Sequence, residues 1–301
     1  VLSMKLGTCT YQEDSFVFID VGTHLLLPGL DSRDQEMAWF DMGILIYDYA
    51  ELKPKLEQII KKNNSVLKVD YDEVIYEAPH PHPDQNVMCL GLNYLEHAEE
   101  SAQAFNKTGK APQYPIIFTK SAKSITGHNC TIPFDPETCS EMDWESELAI
   151  IIGKQGRKIS RENAYEYVFG YSVLNDLSAR DIQRNHKQFF LGKSFEGACP
   201  IGPYIVTQDE IPNPHHLKIS CRVNGVLKQE ANTGQMIFDI PTIIETISRS
   251  QTLYPGDIIA TGTPSGVGFA RKPPEFLKPN DVVECEVESI GVLRNVMGQP
   301  I

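Results

Sequence analysis

The 301-residue sequence predicts a β-rich α+β fold. Short apolar runs bounded by Gly, Pro and Asn recur along most of the chain, and such runs are typical of strands. Helical spacing of apolar residues is confined to a few stretches, which predicts that strands outnumber helices. A hydrophobic content of 41% is sufficient for a packed core, so we do not expect intrinsic disorder.

Residues 1–78 are predicted to form a small N-terminal α/β domain. Residues 15–21 read as a strand, because they are rich in β-branched and aromatic side chains. Residues 37–62 have apolar side chains at helical spacing, which predicts a helix. We expect this helix to break at Pro54, since proline cannot donate a helical hydrogen bond.

A linker is predicted at residues 79–85, and a larger domain at residues 86–301. Proline and histidine alternate at residues 79–83, a pattern that could hold a metal. Prolines at this density fix an extended backbone, so we interpret the segment as a linker and place the domain boundary there.

The larger domain is predicted to consist mainly of strands. An Asn-Gly pair at residues 224 and 225 indicates a β-hairpin with a two-residue turn. The predicted strands lie at residues 86–91, 148–152, 169–174, 217–226 (as the hairpin), 258–260 and 282–288, and the predicted helices at residues 92–100 and 240–253.

Composition excludes several classes of protein. A net charge of -13 argues against nucleic acid or an anionic membrane as the main partner. The seven cysteines are scattered without a Cys-x-x-Cys pair, which indicates a reducing compartment rather than a disulfide framework or zinc cluster. Neither a membrane-spanning run nor a signal peptide is visible. Because the chain begins at Val1, we expect that a leader or some first residues have been removed.

Three carboxylates are the predicted metal ligands. Glu145 and Glu147 precede a predicted buried strand and share one face of it, and Asp176 follows the end of a second strand. Solvated carboxylates are the alternative interpretation. Carboxylates held side by side repel each other unless a proton or cation lies between them. Oxygen donors without His or Cys favour Mg²⁺, with Ca²⁺ or Mn²⁺ as alternatives, over zinc.

Polar residues that could serve this site occur on both sides of it in the sequence. Arg180 and Gln183 lie one helical turn apart, and Lys193 lies in an apolar run. These groups could bind an anionic ligand that lies on the metal. His97 and Glu100 would be neighbours on a helix, either as a general base with its orienting carboxylate or as a surface salt bridge.

Four segments carry a resemblance to a known family. Through these segments, which occur in the family's order, the chain resembles the fumarylacetoacetate hydrolase family over residues 85–300. The run 271–278, Arg-Lys-Pro-Pro-Glu-Phe-Leu-Lys, is most similar to the animal subgroup called fumarylacetoacetate hydrolase domain-containing protein 2. The four segments are residues 143–148 (Asp-Trp-Glu-Ser-Glu-Leu), 175–183 (Asn-Asp-Leu-Ser-Ala-Arg-Asp-Ile-Gln), 191–195 (Leu-Gly-Lys-Ser-Phe) and 261–268 (Thr-Gly-Thr-Pro-Ser-Gly-Val-Gly).

The resemblance implies a fold, an assembly and a location. The larger domain would be a mixed β-roll, the C-terminal-like fold of this family, with the metal at its mouth. The chain would pair as a homodimer, and it would be mitochondrial like the subgroup, or otherwise cytoplasmic.

The resemblance also implies roles for individual residues. His97 and Glu100 would act as the base on a mobile lid that continues through residues 101–114. Thr263 would offer its hydroxyl or backbone N–H to a substrate carboxylate, together with Arg180 and Gln183. Lys193 would supply or accept a proton, or stabilise an enolate.

The predicted function is a metal-dependent enzyme that acts on 2-oxo acids or 1,3-dicarbonyl compounds through an enolate. We expect an acylpyruvate-type hydrolase of C–C bonds, with an oxaloacetate keto–enol tautomerase or decarboxylase as the alternative. A metabolite-binding protein without turnover is an alternative from another class, but it would have no use for a base at His97.

Overall fold

A computed structural model describes residues 4–30, 36–62, 66–104 and 111–299. No helix in these ranges is both long and apolar enough to cross a lipid bilayer. The helices are α1 (Met42–Tyr47), α2 (Tyr49–Lys62), α3 (Leu95–Ala104), α4 (Arg180–His186), α5 (Phe190–Lys193) and α6 (Ile240–Ser250). The strands are β1 (Lys5–Tyr11), β2 (Asp14–Asp20), β3 (Leu25–Leu27), β4 (Leu67–Val69), β5 (Ile75–Tyr76), β6 (Val87–Gly91), β7 (Ile116–Lys120), β8 (Ile125–Thr126), β9 (Thr131–Ile132), β10 (Met142–Asp143), β11 (Ser146–Ile152), β12 (Val168–Asn175), β13 (Ser178–Ala179), β14 (Cys199–Thr207), β15 (Lys218–Val223), β16 (Val226–Asn232), β17 (Ile258–Ala260), β18 (Val282–Val287) and β19 (Gly291–Met297).

The predicted helix at residues 37–62 is divided, but not where we expected. A short 3₁₀ turn precedes α1, and the break between α1 and α2 lies at Asp48. Pro54 lies inside α2, so the expected break at this proline is wrong. Leu52, Leu56 and Ile60 are buried along one face of α2. Burial of this face outweighs the single hydrogen bond that a proline cannot donate.

One twelve-stranded sheet runs through most of the molecule. Its order is β4-β3-β2-β1-β14-β12-β11-β17-β6-β7, with β5 paired to β1 and β8 paired to β14. β1 joins the N-terminal strands to the rest by pairing antiparallel with β14, where Leu6 lies opposite Ile205. A core cluster also combines Leu45 and Leu56 with Ile151 of β11. The two predicted domains therefore share a sheet and a core, and a boundary at residues 79–85 stays a prediction about folding units.

A second sheet of five strands packs against one face of the first. Its order is β16-β15-β18-β19-β9. The turn between β15 and β16 is the predicted hairpin, with Asn224 at φ 51° and Gly225 at φ 75°, as a type I′ turn requires. The core between the sheets contains Leu148 and Ile150 of β11, Ile219 of β15 and buried isoleucines of α6.

β11 is buried on both faces, and this orients the residues at its start. Leu148 and Ile150 face the five-stranded sheet. Side chains alternate along a strand, so Glu147 and Ala149 point to the opposite face. There, Ala149 packs with residues of β6, β14 and β17. Glu147 is thereby directed into the interior and away from the five-stranded sheet.

Candidate metal centre and active site

Three carboxylates meet where β11 begins and β12 ends. These strands are antiparallel with Ser146 opposite Asn175, so Glu145 and Asp176 are the next residues at the same end. The Asp176 N–H donates to the Glu145 carbonyl at 2.8 Å. One oxygen from each of Glu145, Glu147 and Asp176 lies within 4.8 Å of the others, and all three side chains are buried. The three predicted metal ligands therefore converge.

Glu147 is the carboxylate with the fewest partners in this cluster. Its Oε2 accepts a hydrogen bond from the Gly262 N–H at 2.7 Å. Its Oε1 is buried and, within the part of the chain that the structure describes, has no hydrogen-bond partner. Burial raises the pKa of Glu147 well above its usual value, and the charges of Asp176 and Glu145 raise it further. A divalent cation fits this position, because it would bind the unpartnered oxygen and relieve the repulsion.

Lys193 is held between two of the carboxylates. Its Nζ donates to Glu145 at 2.9 Å and to Asp176 at 2.7 Å, and the side chain is almost fully buried. Burial alone would lower the pKa of Lys193, but Asp176 and Glu145 more than offset this and raise it. The same contacts act on Glu145, whose pKa would be raised by burial but lies well below its usual value because Lys193 and Arg180 are adjacent. Lys193 is therefore a cation at neutral pH.

Lys120, at the end of β7, is a site residue that the sequence did not reveal. Its side chain is completely buried, and its Nζ donates to Asp176 at 2.5 Å and to the Leu177 carbonyl at 3.0 Å. Asp176 thus receives a lysine on each oxygen, one from Lys120 and one from Lys193. These two contacts fix the orientation of the carboxylate.

Asp143 was also missed as a site residue, although it begins one of the matched segments. Its buried carboxylate accepts from the backbone N–H groups of Trp144, Gly268 and Phe269 at 2.6–3.1 Å. It also accepts from Arg180 Nε at 2.9 Å. The pairing of β10 with β13 brings Asp143 and Arg180 together. Asp143 therefore positions both the loop after β17 and the guanidinium beside the triad.

The predicted substrate-binding residues lie around the triad, but several of their polar groups are occupied. Arg180 donates to Glu145 at 2.5 Å and to Gln183 at 3.2 Å. The Thr263 hydroxyl donates to the Ser146 carbonyl at 2.9 Å and accepts from Gln229 at 2.8 Å. Of the two groups that we expected Thr263 to offer to a substrate, the hydroxyl already has both partners.

His97 and Glu100 form the predicted pair on α3. Glu100 accepts from His97 Nδ1 at 2.9 Å, and both its oxygens accept from the Gly266 N–H at 3.1 and 3.0 Å. Glu96 also accepts from the Ser265 hydroxyl at 3.0 Å. These contacts dock α3 on the loop after β17. Mobility of a lid at residues 101–114 stays a prediction, and residues 105–110 of it lie outside the described residues.

A cavity of about 530 Å³ opens beside the triad. Its apolar wall contains Leu90, Leu92, Phe118, Phe189 and Phe269. Glu147, Asp176 and Glu100 contact lining residues rather than the cavity itself. The predicted site residues that line the cavity are His97, Glu145, Arg180, Gln183, Lys193 and Thr263.

This arrangement can be compared with known proteins. Residues 86–297, which contain every predicted site residue, match the family described as fumarylacetoacetate (FAA) hydrolase C-terminal. The chain belongs to the fumarylacetoacetate hydrolase family. It is an enzyme of this family, and the resemblance seen in the sequence is confirmed.

Curated relatives of the fumarylacetoacetate hydrolase family match most of the chain. Oxaloacetate tautomerase YisK of Bacillus subtilis is 45% identical over 247 residues, which cover 81% of each chain. Human oxaloacetate tautomerase FAHD2A, mitochondrial, is 48% identical over 225 residues, which cover 74% of this chain and 69% of the relative. The predicted similarity to the animal subgroup is therefore confirmed.

Solved structures of the fumarylacetoacetate hydrolase family confirm the fold. A fumarylacetoacetate hydrolase from Exiguobacterium antarcticum aligns with a TM-score of 0.82 and 36% identity, over 98% of this chain and 99% of that one. A maleylpyruvate hydrolase from Sphingobium, in complex with manganese(II) and pyruvate, aligns with a TM-score of 0.77 and 29% identity, over 98% of this chain and 100% of that one.

Proposed function

We propose that this protein catalyses the keto–enol tautomerisation of oxaloacetate. The observation that carries the proposal is that relatives 45–49% identical to this chain, over segments of 224–247 residues, are named oxaloacetate tautomerases. The site supports enol chemistry, because a triad of carboxylates and two fully or almost fully buried lysines form one cluster, of which Glu145 and Lys193 line the cavity. Hydrolysis, which we expected first from the sequence, becomes the second candidate.

We propose Glu145, Glu147 and Asp176 as the ligands of a divalent cation. Mg²⁺ is the preferred ion, because it binds few carboxylates and keeps several waters, and Ca²⁺ or Mn²⁺ would suit the same oxygens. The Mn²⁺ complex of a maleylpyruvate hydrolase of this fold supports a metal at this kind of site. The cation would supply Lewis acidity that polarises the carbonyl of a 2-oxo acid.

Lys193 and Arg180 would stabilise the negative charge that develops on the substrate oxygen. Lys193 is a buried cation with a raised pKa, so it would stabilise the enolate oxygen by its charge and would give a proton only to an oxygen basic enough to take it. Of the roles expected for Lys193, we therefore propose charge stabilisation and proton supply. Arg180 is fixed by Asp143 and Glu145, and its remaining N–H groups would orient a substrate carboxylate together with Gln183.

His97 would exchange the proton at the substrate carbon. Glu100 contacts Nδ1 and would hold the proton on that nitrogen, which leaves Nε2 as the proton acceptor. Enolisation would move one proton from C3 to Nε2 and one from Lys193 to the carbonyl oxygen. After the enol leaves, His97 would lose its proton to water and Lys193 would regain one, so both groups return to their starting forms, and ketonisation follows the same transfers in reverse. The alternative of a binder without turnover does not account for this oriented base.

The first prediction tests the reaction itself. In Mg²⁺ buffer, the purified protein should accelerate the decay of the enol absorbance of oxaloacetate, without matching release of CO₂ or pyruvate. Chelation by EDTA should abolish the acceleration, and readdition of Mg²⁺ should restore it. The control is the same Mg²⁺ buffer without protein, because the metal ion and the buffer themselves slowly promote enol decay and decarboxylation. Release of CO₂ at the rate of enol decay would replace the tautomerase with a decarboxylase.

A hydrolase of acylpyruvates is the second candidate. It is favoured by the solved maleylpyruvate hydrolase, which aligns with a TM-score of 0.79 and 28% identity, and by a cavity of about 530 Å³, which has room for more than a four-carbon acid. His97 would then activate water instead of exchanging a carbon proton. C–C cleavage of a small acylpyruvate panel, without effect on the oxaloacetate enol, would favour this candidate over the first.

We propose a homodimer as the assembly and, where the source organism is an animal, a mitochondrial location. The location is supported by the animal relatives that are named mitochondrial, whereas the equally similar YisK is bacterial. The substrate would be a small 2-oxo acid or diketo acid. Light scattering after size-exclusion chromatography measures the assembly directly.

A further inference from the structure

One face of α4 forms part of the cavity wall. Arg180, Gln183, Arg184 and Lys187 all line the cavity. Arg180, Gln183 and Arg184 are spaced by three and four residues on one face of the helix, and Lys187 is the capping residue that follows His186. At a rise of about 1.5 Å per residue, the helix carries this face about 6 Å from Arg180 to Arg184, and the exposed Lys187 follows beyond it. The four lining residues comprise three cations and an amide, in a protein with a net charge of -13.

These three cations differ in how their charges are balanced. Arg180 is paired with Asp143 and Glu145. Arg184 is bound by both oxygens of Glu141, at 2.7 Å each. Lys187 has no ion pair or hydrogen bond of its side chain within the described residues. Lys187 is therefore the cation of this group that is available to a ligand.

The backbone at Lys187 is unusual for a residue with a side chain. Lys187 ends α4 at φ 61°, in the region where a Cβ is disfavoured. Helices commonly place glycine or asparagine at such a position. The residue at this point has a long cationic side chain, although the backbone conformation favours glycine.

With a divalent cation bound, the charged groups around the triad would have a net charge that suits one anionic group of a ligand. Asp143, Glu145, Glu147 and Asp176 face three buried or nearly buried cations, Lys120, Lys193 and Arg180. A divalent cation would add two charges and leave a single positive charge, which suits one carboxylate of a substrate. A second carboxylate on the same substrate would need a cation farther along the cavity.

We propose that Lys187 binds the distal carboxylate of a dicarboxylic 2-oxo acid and so determines the preference of this enzyme for diacids over monoacids. Gln183 and Arg184 line the path between the triad and Lys187 and offer N–H donors along it. The inference deepens the proposed function, on which it rests for the 2-oxo acid at the inner end of the cavity. A solvated surface lysine with no role in binding is the structural alternative.

Binding of two unreactive 2-hydroxy acids tests the subsite without turnover. L-Malate has a distal carboxylate, and L-lactate has a methyl group in place of the distal carboxymethyl group. Titration calorimetry in Mg²⁺ should give tighter binding of L-malate by the wild-type protein. Lys187→Gln should weaken the binding of L-malate about tenfold, as expected for the loss of a charged hydrogen bond. The affinity for L-lactate should change by less than about twofold. Lys187→Arg should retain most of the preference.

Lys158 provides a matched control. It is also an exposed lysine at positive φ, 53°, but it does not line the cavity. Lys158→Gln should leave both affinities unchanged. Equal losses for the two acids in Lys187→Gln, or a wild-type protein that does not prefer L-malate, would overturn the subsite. If Lys187→Gln selectively loses affinity for L-malate but the wild-type protein has no tautomerase activity, the subsite is supported and the proposed reaction is wrong.

Discussion

At the scale of single residues, the charge of Glu147 depends on what lies beside it. The side chain is fully buried, one oxygen has no hydrogen-bond partner among the described residues, and Asp176 and Glu145 are adjacent. Without a cation, burial and the neighbouring charges raise the pKa of Glu147 and so disfavour its ionised form. With a cation, the same burial strengthens the attraction between metal and carboxylate. Glu147 is therefore the ligand whose replacement separates metal binding from folding.

Glu147→Gln should abolish Mg²⁺ binding and yet stabilise the protein in EDTA. The folded-state pKa of Glu147 is raised, so ionisation costs stability, and this cost is absent below the usual pKa of 4.5 and grows as the pH rises above it. The gain in Tm for the variant should therefore be present at pH 7 and vanish near pH 4. Each kcal/mol of repulsion removed raises Tm by about 2–4 °C in a large domain.

Thermal unfolding between pH 4 and 8, with EDTA or Mg²⁺, measures both effects. Wild-type protein should gain Tm from Mg²⁺, and the variant should not. Glu275→Gln is a control, because this carboxylate pairs with Lys228 near the surface and not with the triad. A Tm gain of Glu147→Gln that is equal at every pH would contradict the role assigned to its ionisation.

The sequence identified the three triad carboxylates, but not the lysine and aspartate that hold the site together. Lys120 ends a short strand, where a lysine is ordinarily solvated, and nothing nearby in the sequence indicates that it reaches Asp176. Asp143 belongs to a recognised segment, yet its partners Gly268 and Arg180 are distant in the sequence. Contacts of this kind depend on the tertiary structure, which local patterns do not contain.

At the scale of elements, the loop after β17 connects α3, which carries the proposed base, to the core. Its Gly266 N–H holds Glu100, and Glu100 in turn holds His97. Gly266 has φ 102°, and a Cβ there would lie 2.2 Å from the Lys228 carbonyl oxygen. The loop must therefore approach β16 through a residue without a side chain.

Gly266→Ala should lower both stability and kcat, because the loop must move and the base loses its orientation. The control is Gly225→Ala, which also has positive φ, 75°, but has no atom within 4 Å of the new Cβ. The control should cost only the backbone strain of about 1–2 kcal/mol and leave kcat unchanged. Thermal unfolding and steady-state kinetics measure the two variants, and equal effects of both would contradict this account of the loop.

One turn and two helices show which elements the local sequence predicts well and where it fails. The Asn224-Gly225 turn and α6 were predicted because their signals are local: a two-residue turn in one case, and apolar residues at helical spacing from Ile240 in the other. The break in the N-terminal helix was misplaced at Pro54, since burial of Leu56 and Ile60 keeps α2 continuous through it. Proline is a local signal that tertiary packing can override.

At the scale of the whole molecule, the N-terminal strands extend the sheet that carries the triad of carboxylates. β1 pairs with β14, β14 pairs with β12, and β12 pairs with β11. Pairing between residues as distant in sequence as Leu6 and Ile205 cannot be read from local patterns. The sequence therefore predicted the strands on each side, but not that one sheet contains them.

Deletion of residues 1–78 should destabilise the remaining chain. The deletion would remove β1 from the edge of β14 and expose Ile151, Phe169 and Ile205, which are buried against the N-terminal helices and strands. We expect aggregation, or a Tm well below that of the full chain, by light scattering and thermal unfolding. A monodisperse fragment with an unchanged Tm would instead establish the boundary at residues 79–85 as one between independent folding units.

The position of α4 has a consequence for how this enzyme can diverge. Arg180 is its buried residue, whereas Arg184 and Lys187 on the outer turn are exposed. With the proposed subsite at Lys187, exchanges at these exposed positions would change the acids that are accepted at little cost to the core, while the carboxylates behind them are constrained by packing and by each other's charge. Related enzymes could therefore differ in the acids they accept and still share the same chemistry. Mutant libraries that aim to change the substrate should vary Arg184 and Lys187 first.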